Sequence, residues 1–193
     1  MNKLISQIKK IPKNYFSIND IKKISSLTEE SLKVALSRMV KRGEIVKLAR
    51  GLYANDLVKI DWGKLAVEYY HPSYLSFEWA LARYNILSQQ PHQLTLATTK
   101  RSETAEIRDK IIIYHRLKIN LFWGYINKNG ILIAEPEKAF LDLAYLSLNG
   151  YAKFDPDEMN LELLNKSKLK KYLKKFDNKK LGKLINKNNL CRH

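Results

Sequence analysis

The chain has 193 residues, a formal net charge of +16 and a single cysteine, Cys191. One cysteine excludes an internal disulfide and a zinc site built from several thiolates, and it fits a reducing compartment. The N-terminus carries no signal-peptide core, and no later run approaches the ~20 apolar residues of a membrane span. We therefore expect a soluble cytoplasmic protein with no membrane partner.

The positive charge lies at the two ends of the sequence. Residues 1–59 hold 13 Lys and Arg against 5 Asp and Glu, residues 60–152 hold 10 against 9, and residues 153–193 hold 12 against 5. Two basic ends around a nearly neutral middle indicate a polyanionic partner.

The first residues predict two short helices. Apolar residues at helical spacing in residues 1–10 predict a helix that Pro12 ends. Ser17 is a good cap for a second helix over residues 18–24, with Asp20 as its capping-box partner.

A third helix begins after Thr28, a good N-cap, and ends before Gly43, where a C-terminal glycine is usual. Its apolar residues repeat at the spacing of one helical face and pack with the first two helices. The predicted core consists of Leu4, Ile8, Ile18, Ile21, Leu32, Leu36, Met39, Ile45 and Tyr53.

A β-hairpin follows directly. Residues 44–48 and 52–54 are β-prone and flank a turn in which Gly51 allows positive φ and Arg50 projects beside Lys47. The order helix, helix, turn, helix, hairpin predicts a winged helix-turn-helix, a DNA-binding arrangement, over residues 1–58.

The face of the third helix that is opposite its apolar residues is mostly basic, and such a face either binds DNA or is only solvated surface. In the DNA-binding interpretation, helix side chains read the major groove, with arginine suited to guanine and Val34 to a thymine methyl, while Arg42 and the hairpin bind phosphates or the minor groove. The predicted contacts are Lys33, Val34, Ser37, Arg38, Lys41, Arg42, Lys47 and Arg50.

Residues 59–152 predict an α+β domain with a small, mostly antiparallel sheet. An aromatic-rich stretch covers two helices, at residues 65–70 and 77–84, and Ser76 caps the second. Because the aromatic rings fall at core spacing, we assign them to packing of the core and not to stacking on nucleic-acid bases. Strands are predicted at residues 93–98, 111–115, 119–126 and 131–134. A helix with acids at its positive end then begins at Glu135 and runs to Gly150.

Residues 153–193 predict a lysine-rich helical segment packed on the second domain. Its apolar residues indicate an inner face, and its lysines form either a solvated surface or a contact with nucleic acid or an acidic protein. The whole chain is thus expected to be α+β.

Three segments carry a resemblance to a known family: Leu-Ala-Arg-Gly-Leu-Tyr at residues 48–53, Pro-Ser-Tyr-Leu-Ser at residues 72–76, and Ile-Ala-Glu-Pro-Glu-Lys-Ala-Phe-Leu-Asp at residues 133–142. In this order they resemble the AbiEi antitoxins of bacterial type IV toxin-antitoxin systems, which act in abortive infection as phage defence. The similarity covers residues 5–150. The lysine-rich tail after Gly150 is shorter than in longer relatives.

The resemblance implies two activities. The winged helix of these antitoxins binds inverted repeats of double-stranded DNA in its own promoter and represses the operon. Their second domain counteracts, directly or functionally, a cognate AbiEii toxin that is similar to nucleotidyltransferases. The resemblance implies neither an enzyme nor a cofactor.

The sequence also allows two other functions. Glu135, Glu137, Lys138 and Asp142 bring carboxylates near a lysine, as in a metal-dependent nuclease, although the acids are also explained by the start of a helix. A ligand-sensing regulator would use the aromatic stretch as a pocket, but no convergent polar set accompanies it. No nucleotide-binding or hydrolase motif occurs, and the histidines and Cys191 have no metal-ligand spacing.

Overall fold

The structure is a computed structural model that describes residues 2–187, with side chains described from residue 4 onward. Cys191 and His193 lie outside the described residues. The chain forms two compact units: an N-terminal unit of residues 1–65 with 107–109, and a C-terminal unit of residues 66–106 with 110–193.

Helices and strands are mixed along the chain, which confirms the predicted α+β class. Short 3₁₀ helices cover Ile119–Leu121, Pro156–Glu158 and Leu161–Leu163. The longer elements are α1 (Asn2–Lys9), β1 (Tyr15–Ser17), α2 (Ile18–Lys22), α3 (Glu29–Lys41), β2 (Val46–Ala49), β3 (Leu52–Ala54), α4 (Trp62–Tyr69), β4 (Ser73–Leu75), α5 (Phe77–Arg83), β5 (Leu94–Thr98), β6 (Glu103–Ile107), β7 (Lys110–Arg116), β8 (Tyr125–Lys128), β9 (Ile131–Ala134), α6 (Pro136–Ser147), α7 (Lys166–Phe176) and α8 (Lys179–Lys187).

The N-terminal unit packs α1, α2 and α3 with a small sheet in the order β1-β3-β2. Its buried cluster contains eight of the nine predicted core residues, together with Phe16, which was not predicted. The ninth, Ile18, is only partly buried and packs against the cluster. Fully burying one such Leu or Ile contributes about 1.5–3 kcal/mol relative to exposure. β1 was missed: it pairs antiparallel with β3, with Phe16 opposite Tyr53 and their rings stacked at 6.1 Å.

The C-terminal unit contains a six-stranded sheet in the order β6-β7-β5-β4-β9-β8. β4 runs parallel to β9 and β5 parallel to β7, whereas β4/β5 and β8/β9 are antiparallel. The sheet is therefore mixed, where the sequence predicts a mostly antiparallel one. Each parallel pair joins strands that are not consecutive in the chain: β6 lies between β5 and β7, and residues 76–130 lie between β4 and β9, which leaves chain for the return that parallel pairing requires.

Three details of the C-terminal unit differ from prediction. The strand expected over residues 119–126 is a 3₁₀ turn and a loop before β8 begins at Tyr125. β4 and β6 were not predicted. Ser76 precedes α5 but makes no side-chain cap; its hydroxyl donates instead to Asp142.

Candidate nucleic-acid interface

Local signals in the sequence fix both ends of α3. The Thr28 hydroxyl accepts a hydrogen bond from the Ser31 amide at 3.3 Å, which satisfies one of the free N–H groups at the start of the helix. Gly43 ends it with φ at +69°, a conformation that costs glycine nothing. The buried side of α3 consists of Leu32, Leu36 and Met39, so its opposite side is turned to solvent.

All eight residues predicted to contact DNA are exposed. Val34, an apolar side chain, is 50 % exposed on this surface. We call this surface the basic face: Lys33, Val34, Ser37, Arg38, Lys41 and Arg42 on and just after α3, with Lys47 and Arg50 on the hairpin.

Two cations of the basic face are engaged by neighbouring carboxylates. Lys33 lies 2.8 Å from Glu29, which also pairs with Lys22. Hydrogen bonds from Lys22 and then Lys33 lower the pKa of Glu29 to about 2. Arg42 binds both carboxylate oxygens of Glu44, at 2.9 and 3.2 Å.

The other four cations of the basic face, Arg38, Lys41, Lys47 and Arg50, form no ion pair with any residue that the structure describes. An exposed cation without an internal partner keeps its full charge for a ligand. The sequence analysis did not separate these four from Lys33 and Arg42, although both pairs are local: Glu29 lies four residues before Lys33 on α3, and Glu44 lies two residues after Arg42.

The hairpin turn that carries Arg50 is anchored to α2. Gly51 has φ at +75°, and its carbonyl accepts a hydrogen bond from the Ile18 amide at 3.1 Å. The first residue of α2 thus holds the turn, while Ser17 and Asp20 form the predicted capping box on the same helix. A shift of register between Lys47 and Ala49 lets the turn close with two residues.

The acidic and basic residues of α6 form a different kind of cluster in the C-terminal unit. Lys138 and Asp142 are fully buried and paired with each other. The Tyr74 hydroxyl donates to Asp142 at 3.0 Å and accepts from Lys138 at 3.0 Å, and the Ser76 hydroxyl donates to Asp142 at 2.9 Å.

Burial lowers the pKa of Lys138 and raises that of Asp142, and their ion pair opposes both shifts. Aromatic rings surround the ammonium: its Nζ lies 5.1 Å from the ring centre of Trp123 and 5.0 Å from that of Phe176. A carboxylate saturated in this way has no oxygen directed at a phosphate or at a metal in solvent, so the cluster supports the fold and does not support the nuclease hypothesis.

Glu135 and Glu137 join α6 to α7, a role that the sequence did not indicate. Glu135 binds Lys168 at 2.7 Å and also accepts a hydrogen bond from the Tyr172 hydroxyl. Glu137 accepts from the backbone N–H of Asn165, the N-cap of α7, at 3.0 Å. Burial alone would raise the pKa of Glu135, but the hydrogen bonds from Lys168 and Tyr172 bring it below its ordinary value.

The outer surfaces of α7 and α8 are lysine-rich, as predicted. Their inner residues Leu169, Phe176, Leu181 and Ile185 are buried. Asp177 is the only acid between residues 166 and 187. The exposed lysines that the structure describes are Lys166, Lys170, Lys171, Lys174, Lys175, Lys179, Lys180, Lys183 and Lys187.

Within residues 2–187, no three histidine, cysteine, aspartate or glutamate side chains gather as metal ligands. In the same range, no helix has the length and apolar character that crossing a membrane requires. Rings of the aromatic stretch take part in packing, as predicted: Tyr74 and Phe77 are fully buried, and the Tyr74 ring stacks at 4.7 Å on that of Tyr125.

Comparison with known proteins agrees with the resemblance found in the sequence. Residues 13–55 match the model of a family described as transcriptional regulator, AbiEi antitoxin. This segment contains β1, α2, α3, β2 and β3, and with them the whole basic face. No curated protein matches the chain significantly.

Proposed function

We propose, from the AbiEi-type regulator segment at residues 13–55, that the N-terminal unit is a winged helix that binds operator DNA and represses transcription of its own operon. The observation that carries this proposal is the group of four exposed cations, Arg38, Lys41, Lys47 and Arg50, which have no ion-pair partner among the described residues. Counterion release from phosphates gives such groups their affinity.

The basic face divides into reading and anchoring contacts. α3 enters the major groove, where the Arg38 guanidinium binds a guanine edge and Val34 packs on a thymine methyl. The hairpin lies on the backbone, where Lys47 and Arg50 bind phosphates or the narrow minor groove. Lys33 and Arg42 also reach DNA once they leave Glu29 and Glu44. Inverted repeats in the promoter are the proposed operator.

We further propose that the C-terminal unit makes the chain a type IV antitoxin that counteracts a nucleotidyltransferase-like toxin in an abortive infection system of the cytoplasm. Support comes from the antitoxin named in the family match, which lies in the N-terminal unit, and from the resemblance carried by residues 133–142, where Glu135 and Glu137 hold α7 beside the start of α6. Co-expression with an AbiEii-type nucleotidyltransferase toxin tests it: growth should be rescued by the full chain. Continued growth arrest in the presence of well-expressed chain would contradict the antitoxin role.

Two substitutions test the DNA contacts. Arg38→Ala should weaken operator binding by about 1–3 kcal/mol and leave non-specific DNA nearly unchanged, because a base contact is lost. Lys47→Ala should weaken all DNA about equally and reduce the slope of affinity against salt by about one, because a phosphate contact is lost. Fluorescence anisotropy with operator and scrambled duplexes measures both.

Lys10→Ala is the matched control, since it removes an exposed positive charge outside the basic face. It should bind as the wild type does. Unchanged operator affinity in both Arg38→Ala and Lys47→Ala would remove the basic face as the DNA site.

A further inference from the structure

A mostly apolar groove of about 680 Å³ runs along α3 on the side of α1. α1 contributes Leu4, the turn before α3 contributes Leu27, and α3 contributes Val34 and Ala35. Leu27 is 43 % exposed and Val34 is 50 % exposed, so apolar side chains meet solvent along the groove. Apolar side chains that line an open groove offer a partner surface that can be removed from water.

Two opposite charges flank the apolar centre of the groove. Glu30 lies four residues before Val34 and Arg38 lies four residues after it, so the three occupy one side of α3 at successive turns. Glu30 and Arg38 are both exposed and form no ion pair with a described residue. A free carboxylate beside the basic face is not explained by phosphate binding, because it repels phosphates.

We propose that a second copy of this chain docks in the groove, with the two α3 helices antiparallel about a twofold axis at Val34. Glu30 and Arg38 lie equally far from Val34, about 6 Å along the helix axis in each direction. The antiparallel arrangement therefore sets Glu30 of each copy against Arg38 of the other and joins the two Val34 side chains. A twofold contact requires a patch that is complementary to itself. The row of Glu30, Val34 and Arg38 meets this requirement.

Side chains along the groove permit the close approach that this contact needs. Ser31 and Ala35 are small and line the groove beside Val34. Neighbouring helices pack at 8–10 Å depending on the side chains between them, with short side chains favouring the lower end, about 8 Å. The Gln7 side chain, also in the lining, donates to the Ile24 carbonyl at 2.7 Å and so holds α1 beside the end of α2.

The dimer has a consequence for DNA binding, and this consequence alone rests on the proposed function. Val34 and Arg38 belong both to the groove and to the basic face, so a molecule paired through α3 cannot use them on a duplex. Operator DNA and self-association therefore compete, and a high concentration of free repressor lowers the fraction that is competent to bind.

Sedimentation velocity of the full chain without DNA, at low salt and from low micromolar to submillimolar concentration, tests the dimer. Arg38→Glu and Glu30→Arg each convert two attractive contacts into two repulsive ones, and each should raise the dimer dissociation constant about tenfold or more. The double variant Glu30→Arg/Arg38→Glu exchanges the charges and restores complementarity. It should return to within about threefold of the wild type, because the apolar centre is unchanged.

Lys41→Glu is the matched control: it makes the same charge change as Arg38→Glu on an exposed α3 residue outside the groove lining, and the dimer should be unaffected. Circular dichroism establishes that all variants are folded. A wild-type chain that stays monomeric throughout, or a double variant no better than the singles, overturns the proposal. A chain that stays monomeric at all these concentrations without DNA and still binds operator DNA would overturn the dimer and leave the proposed DNA binding intact, so the two failures are distinguishable.

Discussion

Both units expose positive charge, but among the described residues only the C-terminal unit also buries a cation. In the N-terminal unit, Arg38, Lys41, Lys47 and Arg50 are exposed and no described residue pairs with them. In the C-terminal unit, Lys138 is fully buried, paired with Asp142 and surrounded by rings. An unpaired cation in water is available to a ligand. A buried cation such as Lys138 needs a partner inside the protein, so its charge contributes to the fold and is not available to a ligand.

The largest effect is expected at the buried pair. Asp142→Leu leaves the Lys138 ammonium buried without a carboxylate and should reduce the free energy of unfolding by about 3–5 kcal/mol. Urea unfolding followed by circular dichroism measures it.

The double variant Lys138→Met/Asp142→Leu removes both charges and serves as the comparison. It should be more stable than Asp142→Leu, since no unpaired charge remains. If Asp142→Leu lowers the free energy of unfolding by less than about 1 kcal/mol, Lys138 and Asp142 do not form the buried ion pair described above.

Acid should weaken the contact between α6 and α7. The pKa of Glu135 in the folded chain lies below its ordinary value of 4.5, so its contribution to stability is present above that value and is lost as pH falls through the folded pKa. Because the group is partly exposed, we expect a loss of about 1 kcal/mol. Urea unfolding at pH 6 and pH values below 4.5 measures it.

The variant Glu135→Gln is the matched comparison for that measurement. It lacks the titrating carboxylate, so its stability should be lower at neutral pH and should fall less steeply with acid. Equal acid sensitivity in both chains would assign the pH dependence to other carboxylates.

Paired and unpaired lysines of the basic face should differ in their effect on DNA binding. Lys41→Gln removes an unpaired charge and should reduce the slope of affinity against salt by about 0.9. Lys33→Gln should reduce it less, because Lys33 is held by Glu29 in the free chain. Anisotropy titrations over a range of salt compare the two, and equal slopes would mean that the Glu29 pair has no influence on binding.

The smallest effect is a gain. Glu29→Gln removes the carboxylate that holds Lys22 and Lys33, so both cations become available to phosphates. We expect operator affinity to increase by about two- to fivefold at low salt and by less at high salt, because salt screens exposed charges. Unchanged or weaker operator binding would show that Glu29 mainly positions α3 and does not mainly neutralise Lys22 and Lys33.

Several elements could be predicted because their signals are local. The Ser17 capping box and the Thr28 cap each involve residues three apart, and Gly43 ends α3 where positive φ is required. The hairpin of β8 and β9 is fixed by its turn, where Gly130 donates its N–H to the Asn127 side chain at 2.8 Å. Helical periodicity likewise indicated which side of α3 is exposed.

Other features depend on residues far apart in the chain. β1 has only three residues and is defined by pairing with β3, more than thirty residues later, so no local pattern marks it. β4 is equally short and acquires its role between β5 and β9. The Lys138 and Asp142 pair has a spacing typical of a helix surface, yet both side chains are buried.

The sequence by itself determined the class of the fold, the ends of α3, the exposed basic face and the family likeness, because spacing and capping act over a few residues. Only the tertiary structure decided that Glu29 is shared between Lys33 of α3 and Lys22 of α2. It also decided that the acids of α6 hold α7, because burial and partner choice are properties of assembled surfaces and not of a single helix.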